Sequence, residues 1–370
     1  MKDVKNVKTF SSRPPGLWKK AFTHFTCFTV IGLELLLAAS TWTVQTSGVN
    51  SRLRGVSAAS ETVAWTSGSG ATMLRTEDGG ATWVKQVVDA DPSAARLDFR
   101  DVDAIDIKTA YALSIGNGPS SRIYKTVDAG KTWALQFKNE DPKGFFDAMT
   151  FWDANNGVVI GDSIDNKFQI LITSNGGATW AKVSDSALPP ALANEGAFAG
   201  SGSNIAVFGK DHAWIGTGAG PRCRVLHTAD RGKTWTVAET PIAASASAGI
   251  FSVAFRDATN GVALGGDYSK EKEAVDNIAI TSDGGKTWTL VKEHALSGFR
   301  SAVKYIPGTR TSLIAVGPQG SDTSDDDGKT WTTLASPAPL LGFDALSFAP
   351  GKKLAWASGA RGALAKLEIR

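Results

Sequence analysis

Apolar positions along this chain fall into short β-branched runs, each about a strand long and each cut off by Gly, Asn or Asp. The segments NNGVVIGD (155–162), TNGVALGGD (259–267) and TSLIAVGP (311–318) are examples. No helical period is sustained between these runs. An octapeptide ending in Trp punctuates them six times: TEDGGATW (76–83), TVDAGKTW (126–133), TSNGGATW (173–180), TADRGKTW (228–235), TSDGGKTW (281–288) and SDDDGKTW (324–331). The closing tryptophans are 50, 47, 55, 53 and 43 residues apart. Spacing of that size marks a repeated supersecondary unit, a propeller or solenoid. Four short strands fit each interval, which is one blade.

The octapeptide reads as a turn. Its third residue (Asp78, Asp128, Asn175, Asp230, Asp283, Asp326) can accept backbone N–H bonds from the residues that follow. The Gly at the fifth position permits positive φ, and the Trp buries a large ring between neighbouring sheets. Asn175 keeps an acceptor without a charge, which favours a structural role over a catalytic carboxylate. The GKT inside four copies lacks the upstream Gly of a phosphate loop.

After Trp331 three more strand-like runs follow, FDALSFAP, LAWASG and GALAKLEI. STWTVQT (40–46) matches the T-W segments that close the other blades. Trp42–Gln45 is therefore expected to supply the missing fourth strand and close a ring of seven blades.

In such a ring, chemistry belongs where the innermost strands open onto the axis. Aligning LRGVS, FRDVD, FDAMT, NEGAF, IFSVA, FRSAV and FDALS as inner strands puts Arg54, Arg100, Asp147, Glu195, Phe251, Arg300 and Asp344 at one equivalent position. With neighbouring Asp101, the charged members form a candidate partner-binding surface, since arginine forks suit carboxylates and acids suit cations. Asp162, Asp267 and Lys304 are further neighbours. Charged residues that merely pair around a wet channel are the plainer alternative.

Composition narrows the field. A net charge of +3 over 370 residues, without a basic run interleaved with aromatics, gives no footprint for nucleic acid. The four histidines are scattered and the two cysteines, Cys27 and Cys223, offer no ligand spacing, so no metal or cofactor is expected. Residues 1–40 form a separate segment. Lys2, Lys5, Lys8, Arg13, Lys19 and Lys20 precede an apolar stretch at 22–39, read as an export signal or an N-terminal anchor. Either places residues 41–370 in the periplasm or outside the cell.

S/T-x-D-x-G-x-T-W resembles the Asp box, or BNR repeat, of sialidases and related β-propellers. The resemblance implies that the boxes sit on outer hairpins, away from the binding face. Sialidases also bring three arginines, a Tyr–Glu pair and an acid, but their F/Y-R-I-P segment is absent here. LRGVSAASETVAWTSGSGATMLRTEDGGATW and RIYKTVDAGKTWALQF, joined to DFRDVDAID, look more like the photosystem II stability/assembly-factor family. That resemblance implies an exported, seven-bladed, non-catalytic protein that binds a polypeptide partner, belonging to a membrane-protein complex, through arginines on one face. Arg54 and Arg100 are the positions carried over. The alternative is a sialidase-like glycoside hydrolase acting on an acidic glycan, with Asp147 and Glu195 as acid and base.

Overall fold

Strand order follows directly from the repeat. The structure, a computed structural model, describes residues 42–88, 92–336, 340 and 342–369. The segment read as an export signal or anchor lies outside the described residues. Among these, seven antiparallel sheets of four strands are present. Blade one runs Leu53–Ala58, Ala64–Gly68, Thr72–Thr76 and Val84–Lys85 in spatial order. The strands lining the axis in the other blades are Asp98–Ala104, Phe146–Phe151, Ile205–Phe208, Ala248–Phe255, Ala302–Tyr305 and Ala345–Phe348.

Trp42–Gln45 pairs antiparallel with Leu364–Glu368, Trp42 opposite Leu367, and completes the seventh blade as its outer strand. Trp42 is buried against Phe343, ring centroids 4.7 Å apart. The ring therefore closes with strands from both ends of the domain.

An inner strand leaves one edge without a ladder partner, and buried backbone N–H groups need acceptors. Here the preceding blade supplies them. Ser57 Oγ accepts from Ala104 N (3.0 Å), Asp101 Oδ2 from Met149 N (2.8 Å) and Asp103 Oδ2 from Phe151 N (3.2 Å). Ser252 Oγ accepts from Val303 N (2.9 Å) and Ser347 Oγ from Ala58 N (3.1 Å). Hydrophobic clusters fill the wedges between blades, as where Trp65 of blade one meets Trp133 of the second octapeptide edge-on at 5.7 Å.

Each octapeptide closes on itself and on its own blade. In the second copy, Gly130 N donates to Thr126 Oγ1 (2.9 Å), Thr132 N to Asp128 Oδ1 (2.9 Å) and Thr132 Oγ1 to Asp128 Oδ2 (2.6 Å). Ala129 N donates to Lys108 O in the turn between the first two strands. The same link recurs in the other five copies, at Gly79, Gly176, Arg231, Gly284 and Asp327. The octapeptides thus lie at the end of the ring where inner strands finish, opposite the end where they begin. Gly130 has φ +84°, and a Cβ there would meet the Trp65 ring at 2.8 Å, so conformation and close approach both require glycine.

Candidate functional site

The inner strands begin with an irregularity. In blades one, two, three and five the register shifts by one residue, and the extra residue is Arg54, Arg100, Asp147 or Phe251. A bulge turns a side chain out of the face it would otherwise share. These four residues accordingly line one recess of about 430 Å³ at the mouth of the axis, together with Arg52, Asp162, Phe198, Tyr268, Glu271 and Phe299.

The floor of the recess is a segment that sequence reasoning missed. The inner strand of blade four is Ile205–Phe208 and not the expected NEGAF, which lies ahead of it. The residues ahead of it, 197–203, cross the mouth. Ala197 N donates to Asp162 Oδ1 (3.2 Å), while Ala199 O and Gly200 O accept from Arg100 Nη1 (3.0 Å) and Arg54 Nη1 (3.4 Å). Ser201 Oγ donates to Ser301 O (2.7 Å), Ser203 Oγ bonds Ser252 Oγ (2.8 Å), and Gly202 packs on the Asp101 carboxylate. Only the Gly-, Ser- and Ala-rich composition of this stretch and the long 55-residue interval signalled an insertion.

The candidate residues divide into two groups. Glu195, Arg300, Asp344 and Asp101 are buried and engaged internally. Glu195 pairs with Arg224 through two hydrogen bonds, one at 2.9 Å, and also accepts from Thr217 Oγ1. Arg300 pairs with Asp322 at 2.7 Å, and Asp344 takes both arms of Arg52 at 2.7 and 2.8 Å. Asp101 caps blade three as described, and burial pushes its carboxyl up to about 7. Half-buried Lys304 is held below its ordinary range by desolvation, with Asp103 and Asp101 nearby pulling it back up.

Arg54, Arg100 and Asp147 instead line the recess. Arg100 is held by Asp98 (Nη2 to Oδ2 2.9 Å), but Arg54 forms no ion pair among the described residues. Desolvation lowers Arg54 to about 10, with the attraction of Asp344 opposing the shift and Arg100 and Arg52 adding to it. Asp147 is 2% exposed with one carboxylate oxygen lacking any hydrogen-bond partner, and burial raises its carboxyl well above the usual range. Nearby Asp162 adds to that rise, and is itself pushed up to about 6 by burial. Facing the arginines is an aromatic wall. Phe198 stacks on Phe251 (4.1 Å, 8°), Phe299 meets Phe251 edge-on (4.7 Å), and Tyr268, 51% exposed, stands edge-on to the stacked pair.

Elsewhere the fold joins residues that looked scattered. His212 Nδ1 lies 3.1 Å from His227 Nε2, and burial with the nearby His212 pushes His227 down to about 4. Cys223 is buried and its thiol is pushed up to about 12, an inert environment. No group of three or more His, Cys, Asp or Glu side chains converges as a metal site among the described residues.

No protein-family model matches this chain, and no curated protein matches it in sequence. Solved structures do match in shape. YCF48 bound to D1 peptide superposes with a TM-score of 0.59 at 17% identity, over 89% of this chain and 97% of that one. YCF48 from Cyanidioschyzon merolae gives 0.58 at 17% identity, covering 89% and 99%. The GH74 enzyme of Niastella koreensis gives 0.61 at 15% identity, covering 88% of this chain and 53% of that enzyme, so this chain spans about half of it. At these identities the likeness is one of fold.

Proposed function

We propose that this chain is a non-catalytic, exported β-propeller that binds a polypeptide partner at the recess on its axis, in the manner of a photosystem II stability/assembly factor. One observation carries the reading: Arg54 is a half-buried guanidinium with five N–H donors, one long contact to a carbonyl and no carboxylate of its own. A carboxylate brought by a partner supplies the missing acceptor in a two-pronged geometry that Arg suits better than Lys. Arg100 stands beside it, and the aromatic wall provides apolar area for the residues flanking that carboxylate. Support also comes from a propeller of the same fold, YCF48, whose solved structure carries a D1 peptide. In this reading the partner belongs to a membrane-protein complex, and residues 1–40 direct the chain across the membrane.

The test is a titration of purified protein with acidic and neutral peptides, comparing the unaltered chain with Arg54→Gln. Acidic peptides are expected to bind the unaltered chain and to lose roughly tenfold or more in affinity with the variant. Equal binding by both proteins rules the arginine out as the recognition group.

A glycoside hydrolase remains the second reading, favoured by one feature. Asp147 and Asp162 adjoin in the recess, and burial holds both carboxyls toward the protonated form that a general acid needs. Glu195 is committed to Arg224 and does not serve as its partner base. Release of sugar from a sialylated or other acidic glycan panel, abolished by Asp147→Asn, would reverse the order of the two readings.

A further inference from the structure

The recess keeps opposite charges apart. Arg54 and Arg100 stand at one end of the segment that crosses it and Asp162 at the other, with Asp147 and Glu271 also in its lining. Within one small recess such groups ordinarily pair. Among the described residues none of the three acids forms an ion pair; Asp147 interacts with Arg100, and Glu271 with Arg52, only at longer range. Residues 197–200 run between Asp162 and the two arginines. This segment offers an N–H to Asp162 at one end and carbonyls to Arg100 and Arg54 at the other. It therefore behaves as a short internal peptide whose own dipoles satisfy a two-signed site.

Two features point to a cationic group in the recess besides the acids themselves. Asp147, 2% exposed and part of the lining, has a buried carboxylate oxygen with no hydrogen-bond partner. Tyr268, 51% exposed, stands beside Phe198 with ring surface available to a cation. Asp162 spends one oxygen on Ala197, and Glu271 spends one on Gln319 Nε2 (2.8 Å). Each keeps acceptor capacity.

We propose that the recess recognises a polypeptide segment carrying both charges: a Lys or Arg directed at Asp162, Glu271 and Tyr268, and a carboxylate directed at Arg54. The internal segment gives the spacing. Ala197 and Gly200 mark its two contacts, so an extended partner chain places its charges about three positions apart, on the order of 10 Å. This deepens the peptide-binding reading and rests on it.

The test uses three peptides of about eight residues in an Ala/Leu background. One carries Lys and Asp three positions apart, one has the Lys replaced by norleucine, and one has the Asp replaced by Asn. Each is titrated by fluorescence anisotropy against the full chain, Asp162→Asn and Glu271→Gln. Asp162→Asn retains the acceptor for Ala197 N, so the floor of the recess is preserved. The dipolar peptide is expected to bind the unaltered chain roughly tenfold tighter than the norleucine peptide. Asp162→Asn should erase that difference while leaving the norleucine peptide unchanged, and Glu271→Gln should reduce it. Equal affinity for the dipolar and norleucine peptides overturns the two-signed site and leaves the arginine reading standing. A variant that weakens both peptides alike also overturns it, because the acid then acts through the fold. Binding of none of the peptides overturns both readings.

Discussion

Glu195 shows how a single residue changes meaning between sequence and structure. As a carboxylate in an apparent inner strand it looked like a recognition or catalytic group. In the fold it is 1% exposed and tied to Arg224, whose side chain is 8% exposed. Removing one partner of a buried pair strands the other charge, a loss of roughly 3–5 kcal/mol. Glu195→Ala should therefore lower the unfolding free energy read from a urea titration by that amount, and a change under about 1 kcal/mol would show the pair to be incidental. Asn175 makes the opposite point. Its amide accepts from Thr179 N (3.0 Å) as the aspartates do, but its Nδ2 donates to Thr179 Oγ1 (2.9 Å) where they accept. The turn needs a hydrogen-bond partner there and not a charge. Asp283→Asn should accordingly keep most of the thermal stability that Asp283→Ala loses, as melting curves of the two variants can show.

At the scale of elements, the closing strand is the exposed joint of the ring. Trp42–Gln45 contributes one buried ring, Trp42 at 5% exposure, and an acceptor, Gln45 Oε1, to which Trp83 Nε1 of blade one donates (3.0 Å). Trp42→Ala should cost about 3–5 kcal/mol, the range for emptying a large buried aromatic site. Amide exchange should rise first in Leu364–Glu368, whose outer ladder partner is this strand. Uniform exchange across all seven blades would mean that the ring opens as a whole. The inner strands show why function gathers at one end. Their bulged first turns release Arg54, Arg100, Asp147 and Phe251 from the inter-blade wedges, whereas their far ends are occupied by links to the octapeptides.

For the whole molecule, two sets of carboxyls titrate in opposite senses. In the exposed octapeptide turns, hydrogen bonds from Thr82 and Thr132 hold Asp78 and Asp128 down at about 2. Groups lowered on folding contribute stability that is present above about 4 and lost as pH falls toward 2. Around the axis, burial raises Asp101 to about 7 and Asp103 and Asp162 to about 6, against 3.8 in an exposed chain. Between about 4 and 7 the folded state then binds more protons than the unfolded one, so stability declines as pH rises through this window. The melting temperature should peak near pH 4–5 and fall toward pH 7. Asp101→Asn should flatten the upper limb, since the buried group contributes at most about 1.4 kcal/mol per pH unit. A profile still rising at pH 7 would contradict this balance.

The repeat period, turn chemistry and closing strand were all legible in the sequence, because each is a local pattern in which neighbouring residues dictate the backbone. The partition of charges was not. Whether Glu195, Arg300 or Asp344 faces solvent depends on Arg224, Asp322 and Arg52, which lie far along the chain or in another blade. Residues 197–203 could be read as an insertion, but their course across the axis is set by hydrogen bonds to blades one, two, three, five and six. Periodicity determined a ring of seven four-stranded blades. Only tertiary contact decided which charges are consumed within the ring and which, like Arg54, remain open to a partner, because pairing depends on proximity in space and not on spacing along the chain.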